Sequence, residues 1–355
     1  MNNDPEKLYD VIVIGGGQSA LATAYYLRRT NLRYLLLDKE PIPGGSWPHN
    51  WDSLHLFSPA QWSSLPGVIM PGGPDYYPTR DEAISYLQKY EARYSFPVVR
   101  PVTVQGVTKQ NDVFALTTTN GTYFAKAVVS ATGSFTNPYI PGIRGRDVFK
   151  GQVLHSSQYQ QPQPFRGKRT AVVGEGNSGA QILADLAMVT DTLWITREQP
   201  SFLPDDVDGR YLFDAATQLY EAKKQGREPD QKPPLGQIVM VPAVKAARER
   251  GVYQALPAFD YFYADGIGWK KGQEEPVDAV IFCTGFRPAL EHLRPLGLIQ
   301  PDGEISTKIT KALAIDGLWL VGYGGWTGFA SATLIAVGRT AKRTVEEITA
   351  FLQAG

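Results

Sequence analysis

The sequence is poor in the residues that build disulfide frameworks, metal centres and nucleic-acid surfaces. Its single cysteine, Cys283, excludes a disulfide, a thiolate metal site or a C-x-x-C redox pair within one chain. The four histidines are scattered without the spacing of metal ligands, so we expect no bound metal. The 35 basic residues balance the 35 acidic ones, which argues against a nucleic-acid or anionic-membrane partner.

Long apolar segments are also missing. The sequence has no run of about 18 apolar residues that could span a bilayer, and no recognisable signal peptide. We therefore expect a cytoplasmic protein that contacts no membrane. With 355 residues the chain exceeds the usual size of a single hydrophobic core, so two domains are the expected organisation.

The sequence does contain two glycine-rich loops, each placed where a β-branched run gives way to a helical segment. Their key residues are Gly15, Gly17, Ser19 and Ala20 in the first loop, and Gly174, Gly176, Asn177, Ser178 and Gly179 in the second. In each loop, the first glycine allows a tight turn and the second lets a pyrophosphate approach the backbone. The third position lets helix and strand pack closely, and the helix N-terminus offers N–H groups to phosphates. Two such loops indicate two dinucleotides and a hydride transfer between them.

The residue that ends the strand after each loop reads the adenosine ribose in folds of this kind. After the first loop this residue is Asp38, whose carboxylate can accept hydrogen bonds from ribose hydroxyls; the alternative is an ordinary charge at a strand end. Arg197 follows Gly174 at the same offset, and a guanidinium there can bind the 2′-phosphate of NADPH. The neighbouring Glu198 would repel that phosphate or hold a ribose diol. We therefore predict a modest preference for NADPH with NADH also accepted, the alternative being a surface ion pair.

The order of elements predicts an α/β fold with two Rossmann-like dinucleotide-binding domains, of the two-domain type that disulfide reductases share. Predicted strands and helices are strands 9–14, 33–37, 169–173, 192–195, 277–283 and 317–321, a meander over 102–129, and helices 18–30, 80–94, 178–189 and 331–352. The Pro/Gln-rich residues 160–164 are the predicted boundary. Residues 1–160 and 278–355 then form the first domain and 161–277 the second, with 202–263 as an insertion over the active site or a helical cap.

Four motifs in a fixed order narrow the class. Phe149, Gly151, His155 and Tyr159 form the pattern F-x-G-x-x-x-H-x-x-x-Y, and the other motifs are Gly44-Gly45-Ser46-Trp47, Ala131-Thr132-Gly133 and Cys283-Thr284-Gly285-Phe286. In these motifs the chain resembles the flavin-containing monooxygenases, of the small bacterial type among class B flavoprotein monooxygenases. Tyr159 stands where the related Baeyer–Villiger monooxygenases have tryptophan.

The resemblance implies FAD on the first loop and NADPH on the second, with a hydride passing from nicotinamide to flavin. The reduced flavin and O2 would then form a C4a-hydroperoxide that oxygenates a small molecule such as a thioether, an amine or a ketone. The cofactors would also contact Gly45, Trp47, Thr132, Gly133 and Gly285 of the remaining motifs, and Ser331 at the start of the predicted helix 331–352. The positive end of helix 331–352 would stabilise charge on the reduced ring. For His155 we expect a role in coupling the two domains rather than in proton transfer.

The chain departs from the family at one position that faces the flavin. Phe57 stands where these enzymes usually carry an asparagine, and a phenyl ring cannot make the hydrogen bonds of an amide. We therefore place Phe57 at the catalytic site and expect much of the coenzyme's reducing power to end in hydrogen peroxide. Composition alone would make Phe57 and Trp47 plain core aromatics.

Two other functions remain open at this point. An NAD(P)H oxidase or a flavin reductase that passes electrons to another acceptor would need the same two nucleotides. A redox-inert nucleotide sensor would explain the loops but not the motif over residues 149–159. A homodimer is one candidate for the oligomeric state.

Overall fold

A computed structural model describes residues 8–205, 237–328 and 330–354. The strands are β1 Leu8–Ile14, β2 Tyr34–Leu37, β3 Val98–Val99, β4 Val104–Gln110, β5 Val113–Thr118, β6 Gly121–Ser130, β7 Gln152–His155, β8 Thr170–Val173, β9 Thr192–Thr196, β10 Ala255–Pro257, β11 Tyr261–Tyr263, β12 Gly266–Gly268, β13 Glu274–Pro276, β14 Ala279–Phe282, β15 Thr307–Lys308, β16 Lys311–Ala312 and β17 Leu318–Leu320. The helices longer than two turns are α1 Gln18–Leu27, α2 Arg80–Tyr94, α3 Asn177–Leu186, α4 Pro242–Glu249 and α5 Leu334–Ala354. Within these described ranges, no helix is both long and apolar enough to cross a bilayer.

Two parallel sheets repeat one arrangement. In the first sheet the parallel strands run in the order β3-β2-β1-β6-β17, and in the second the order is β10-β9-β8-β14-β7. β1 and β8, which lead into the two glycine loops, occupy the same central place. The α/β fold with two Rossmann-like units is thereby confirmed.

The β-branched run of β1 is explained by burial on both faces. Val11 and Val13 belong to one core with helix α1, whereas Ile12 and Ile14 belong to a second core under the β4–β5–β6 meander. All four side chains are buried. A central parallel strand with helices or strands on both sides reads as a continuous apolar run, which is why β1 shows no polar alternation.

Several predicted elements have the expected bounds. Helix α2 spans the predicted residues 80–94, and it starts at a capping box in which Thr79 and Glu82 bond each other's backbone. The meander forms with Thr119 and Asn120 between β5 and β6, and Gly121 is the first residue of β6, paired with Thr118. Helix α5 begins at Leu334 instead of the predicted residue 331, because Ser331 is drawn into a turn described below.

Two strands lie in a different sheet from the one that the predicted domain boundaries imply. β7 falls within 1–160 and β14 within 278–355, yet both pair in the second sheet, where β14 lies between β8 and β7. The predicted division into domains follows the continuity of the chain. The apolar strand β14, however, is completely buried because it lies between β8 and β7 in the second sheet. The chain thus crosses between the sheets after β6 and again after β14.

The predicted insertion at 202–263 is partly outside the described residues, which omit 206–236. Its described portion is ordered into regular elements. Phe202 and Ile238 form a β-bridge, α4 packs against α3, and β10 adds the edge strand of the second sheet. This portion is therefore part of the second unit and not a separate cap.

A buried polar chain joins the ends of the first sheet to the segment that returns from the second. His292 Nε2 lies 2.9 Å from Ser130 Oγ, and the hydroxyl of Tyr323 lies 2.7 Å from Thr132 Oγ1. Ser130 Oγ also bonds the Tyr323 hydroxyl, which links the two pairs. His292 is only 6% exposed, and burial lowers its pKa to about 4. The imidazole is therefore neutral at physiological pH.

We predict that this histidine makes the protein acid-sensitive. A free histidine has a pKa of about 6.5, so protons favour the unfolded chain between that pH and about 4, and stability falls as the pH is lowered through this window. Urea unfolding of the holoprotein at pH 7 and pH 4.5 should show the wild type losing about 2 kcal/mol more than His292→Gln. A glutamine keeps a polar partner for Ser130, so the variant should fold. Equal losses in both proteins would contradict the account.

Candidate functional site

A cavity of about 810 Å³ lies at the carboxyl ends of β1 and β6 and extends to the start of α3. It is lined by segments of both units: residues 14–19, 37–40 and 131–137, several residues within 45–58 and 286–294, the α3 residues Asn177, Ser178 and Gln181, and residues 332–334. The carboxyl ends of parallel strands at a change in strand order are the usual place for nucleotides in such folds. Its volume suits a large organic ligand.

The predicted site residues divide into two groups. Eleven line the cavity: Gly15, Gly17, Ser19, Asp38, Gly45, Trp47, Phe57, Thr132, Gly133, Asn177 and Ser178. The others, Ala20, Gly174, Gly176, Gly179, Arg197, Glu198, Gly285 and Ser331, lie outside its lining. The structure therefore brings the first loop, the G-G-x-W motif and the first A-T-G-type motif together around one space.

Each glycine loop turns against the strand end beside it. Gly15 and Gly174 have φ values of +119° and +138°, which strongly favour glycine. A Cβ would lie 2.6 Å from the Ala131 carbonyl oxygen at Gly15 and 2.4 Å from that of Cys283 at Gly174. These carbonyls belong to the two A-T-G-type motifs. The motifs are thus the strand ends on which the loops rest.

The first loop leaves open space where a pyrophosphate would lie. Gly45, with φ +59°, packs its backbone so closely that a Cβ there would meet the Cα of Gly17 at 2.6 Å. A Cβ on Gly17 itself would meet its nearest neighbour at 3.6 Å. Gly17 is the N-cap of α1, and no side chain caps this helix. Its end is therefore a suitable cradle for phosphate oxygens.

Asp38 is a buried carboxylate held by an arginine that sequence analysis missed. Arg100 donates from Nη2 to Asp38 Oδ2 at 3.1 Å and also pairs with Glu91. The Glu40 backbone N–H donates to Asp38 Oδ1 at 3.3 Å. Burial raises the pKa of Asp38, and the Arg100 charge and the Glu40 N–H oppose this. Arg100 is distant in sequence and lies on no motif, so only the fold identifies it.

Gln18, also absent from the sequence-based site, ties three segments together. Its Nε2 donates to the Ala332 carbonyl at 2.6 Å, and its Oε1 accepts from Trp47 Nε1 at 3.1 Å. Gln18, Trp47 and Ala332 all line the cavity. The only sequence signal for Gln18 is its position directly after the loop.

Trp51 also lines the cavity, and its buried Nε1–H has no hydrogen-bond partner within the described part of the chain. An unpaired buried donor of this kind fits a site that a ligand completes.

Two aromatic rings that follow the A-T-G-type motifs join the two units. Phe135 and Phe286 stack with centroids 5.4 Å apart, and both line the cavity. His49 stacks on Phe135 and donates a 2.8 Å hydrogen bond from Nε2 to Glu40 Oε2. The two units are also joined by Gln181 of α3, which bonds both the N–H and the carbonyl of His55 at 3.1 Å. The segment that carries Phe57 is thus fixed to the second unit.

Phe57 and Trp47 line the cavity and also pack against the main core. Leu54 and Leu56 lie beside Phe57 in the lining and are buried. Ser58, the next residue, is buried and hydrogen-bonded to Ser63. This end of the cavity is predominantly apolar.

The four fixed residues of the motif over residues 149–159 serve the second unit and lie outside the cavity lining. Ser157 N–H donates to His155 Nδ1 at 3.1 Å, so the proton is on Nε2, which donates to the Gly285 carbonyl at 2.9 Å. Burial lowers the pKa of His155 and keeps this ring neutral. Tyr159 donates to Asp185 of α3 at 2.6 Å. His155 therefore fixes the segment that crosses back to the first unit, and Gly285 supplies the carbonyl that it binds.

Ser331 does not occupy the place expected of it. Its side chain is fully buried and bonds Thr327 Oγ1 at 2.9 Å and the Gly324 carbonyl at 2.9 Å. These bonds stabilise the turn before α5, and Ala332, Thr333 and Leu334 reach the cavity instead. Ala20 and Gly179 lie at helix–strand contacts, where Gly179 faces the Gly174 carbonyl.

Arg197 projects from the end of β9 and is 80% exposed. Its guanidinium pairs with Glu175, at 3.1 Å between Nη2 and Oε1. The sequence alone suggests Glu198 as its neighbour of opposite charge. Glu175 lies between the two glycines Gly174 and Gly176 of the second loop, so the pair links that loop to the end of β9.

The model of one protein family and several known proteins match the chain. Residues 12–224 match the pyridine nucleotide-disulphide oxidoreductase family. The structure of a flavin-containing monooxygenase from Stenotrophomonas maltophilia has 47% sequence identity and a TM-score of 0.89, with 98% of this chain and 99% of that chain covered.

More distant relatives cover similar shares. The oxidoreductase CzcO-like of Geobacillus kaustophilus is 30% identical over 97% of this chain and 99% of its own. The indole-3-pyruvate monooxygenase YUCCA8 of Oryza sativa is 27% identical over 88% of this chain and 86% of its own. The resemblance drawn from the four motifs is confirmed. The chain belongs to the pyridine nucleotide-disulphide oxidoreductases and, within them, to the flavin monooxygenases, whose cofactors are FAD and NADPH.

Proposed function

We propose that this flavin monooxygenase oxidises NADPH, and NADH less well, and transfers one oxygen atom of O2 to a small, soft nucleophile such as a thioether. The observation that carries the proposal is one continuous cavity that reaches from the first phosphate loop to the start of α3. Its apolar end, at Trp51, Leu54, Leu56 and Phe57, suits an uncharged substrate.

The first loop fits FAD. The α1 N-terminus and the open face of Gly17 would receive the pyrophosphate, and Asp38, oriented by Arg100, would accept ribose hydroxyls. Trp47 and Gln18, which are bonded to each other, would border the ring system together with Thr132 and Gly133. When bound, FAD accepts a hydride from NADPH, and its reduced form activates O2 for oxygen transfer.

The second loop fits NADPH. A Cβ on Gly176 would meet no atom within 4 Å, and this glycine is the N-cap of α3, whose first residues Asn177 and Ser178 line the cavity. Asn177 is held by its Oδ1, which accepts from the Val239 N–H at 2.9 Å. The backbone at this helix start would hold the coenzyme pyrophosphate, and Arg197 would bind the 2′-phosphate.

The protein's own contribution to the reaction is to orient the two cofactors and to exclude water from the reacting end. The stacked Phe135 and Phe286 rings and the side chains of Leu54, Leu56 and Phe57 supply apolar walls there. A dry site favours oxygen transfer over loss of the activated oxygen to solvent. Phe57, however, brings no hydrogen-bonding amide to this wall.

A second candidate function, NAD(P)H oxidase, is favoured by that feature of Phe57. A different feature, the state of Cys283, disfavours electron transfer through a protein thiol. Cys283 is the single cysteine of the sequence, and burial raises the pKa of its thiol to about 12. Because the thiolate is the reactive form, Cys283 is not suited to thiol–disulfide exchange.

Exchange of two equivalent glycines tests the two nucleotide assignments. Gly17→Ala should yield nearly colourless protein, because the new methyl group occupies pyrophosphate space while meeting no close protein atom. Gly176→Ala should keep about one FAD per chain and raise the KM for NADPH instead. Flavin content is read from absorbance after gel filtration. Gly142→Ala, at a glycine with open surroundings outside the cavity, is the control for folding. Full flavin retention in Gly17→Ala would refute the FAD assignment.

Arg197→Ala should raise the KM for NADPH about tenfold and that for NADH by less than about twofold, since only NADPH carries the 2′-phosphate that a guanidinium binds with charge-assisted hydrogen bonds. Initial rates with both coenzymes give the comparison directly. Equal effects on both coenzymes would show that Arg197 does not read the phosphate.

The oxygen-transfer proposal is tested by sulfoxide formed per NADPH consumed with small aromatic thioethers. We expect sulfoxide from the wild type, with a large share of NADPH lost to hydrogen peroxide. Phe57→Asn should raise the sulfoxide share, because an amide can hydrogen-bond at the flavin, whereas Phe57→Leu, which keeps an apolar side chain, should not. If a panel that includes amines, ketones and indole-3-pyruvate yields no oxygenated product while NADPH is consumed, the oxidase function replaces this one.

A further inference from the structure

The ion pair of Arg197 and Glu175 is built so that one carboxylate meets both the backbone and the side chain of the same arginine. Glu175 Oε2 accepts the Arg197 backbone N–H at 3.3 Å. Its Oε1 accepts from Arg197 Nη2 at 3.1 Å and from Nε at 3.4 Å. The guanidinium edge that would face a phosphate is therefore already engaged by an anion of the protein.

The second loop fixes the position of this carboxylate. Gly174, directly before Glu175, is confined to φ +138° against the Cys283 carbonyl, and Gly176, directly after it, is the N-cap of α3. The side chain of Glu175 thus runs from the loop to the end of β9. An acidic side chain at the end of this strand is what accepts ribose hydroxyls in NAD-binding folds, and here the loop supplies it while the strand supplies Arg197.

The pair is weak enough to open. Arg197 is 80% exposed and the Glu175 side chain 28% exposed, and exposed ion pairs contribute little net stability. A 2′-phosphate carries more negative charge than a carboxylate and matches the guanidinium fork with two parallel hydrogen bonds. Such a phosphate can replace Glu175 on Arg197, but the displaced carboxylate then remains beside it and repels it.

We propose that Glu175 is a coenzyme-specificity determinant: it competes with the 2′-phosphate of NADPH for Arg197 and accepts a ribose hydroxyl of NADH, and so reduces the preference for NADPH. The proposal rests on the proposed nucleotide function of the second loop. Beyond that function, the proposal states that Glu175 of the loop, and not Glu198 beside Arg197, allows the enzyme to use both coenzymes.

The test is calorimetric binding of NADP+ and NAD+ to the oxidised, FAD-loaded protein, a readout independent of turnover. Glu175→Gln should tighten NADP+ about fivefold, as expected for removal of one exposed charge pair, and should weaken NAD+ or leave it unchanged. In an Arg197→Ala background the same exchange should give less than about half of that gain. Raising the salt concentration should diminish the gain, because the competing charges are exposed.

Asp191→Asn is the matched control, since it removes an exposed carboxylate that pairs with another arginine, the half-buried Arg169, at the opposite end of β9. It should alter neither coenzyme's affinity. The proposal is overturned if Glu175→Gln changes both coenzymes alike, if Glu198→Gln reproduces its effect, or if its gain persists undiminished without Arg197. Failure of the wild type to bind either coenzyme would instead refute the nucleotide function itself and the proposal with it.

Discussion

The structure depends on a contact between backbones that is made twice. At each nucleotide loop, a glycine with positive φ rests on the carbonyl of the neighbouring strand end, Gly15 on Ala131 and Gly174 on Cys283. No side chain fits at either contact. Because the strand ends then continue into Phe135 and Phe286, which stack on each other, the two loops are fixed relative to one another through the same two motifs.

This constraint gives the chain's crossings between the sheets a physical reason. The segment after β6 leads from the first A-T-G-type motif to the second sheet, and the segment after β14 leads from the second motif back to the first. His155 holds the second crossing at the Gly285 carbonyl, and Ala289 N–H bonds the Gly133 carbonyl at 2.9 Å where that crossing arrives. The motif over residues 149–159 thus holds the segments that surround the cavity, and its own residues do not line it.

Local patterns predicted most of the fold. The loops, the meander and the helix over 80–94 each follow from spacings of a few residues, and each formed as expected. Local patterns did not predict that β7 and β14 belong to the second sheet, because the sequence of a short apolar strand does not indicate which strands will pair with it.

In the site, too, residues placed by their own turns could be predicted from the sequence, whereas contacts between distant segments could not. Gly15, Gly17 and Ser19 of the first loop and Gly45 and Trp47 of the G-G-x-W motif line the cavity, since they are placed by their own turns. Arg100 behind Asp38, Gln181 against His55 and Glu175 on Arg197 are pairs between separate segments, and only the folded chain brings them together. Ser331 was predicted at the cofactor site, but it does not line the cavity. Its hydroxyl hydrogen-bonds the backbone of Gly324 in the turn that precedes the helix.

The most direct test of the account is the fate of the oxygen atoms. The purified holoenzyme would be supplied with NADPH, a small aromatic thioether and isotopically heavy O2 in ordinary water, and the products analysed by mass spectrometry. The account predicts a sulfoxide whose added oxygen is heavy, because one atom of O2 is transferred inside the shared cavity. Unlabelled sulfoxide, or complete recovery of the heavy oxygen as hydrogen peroxide while NADPH is consumed, would contradict it.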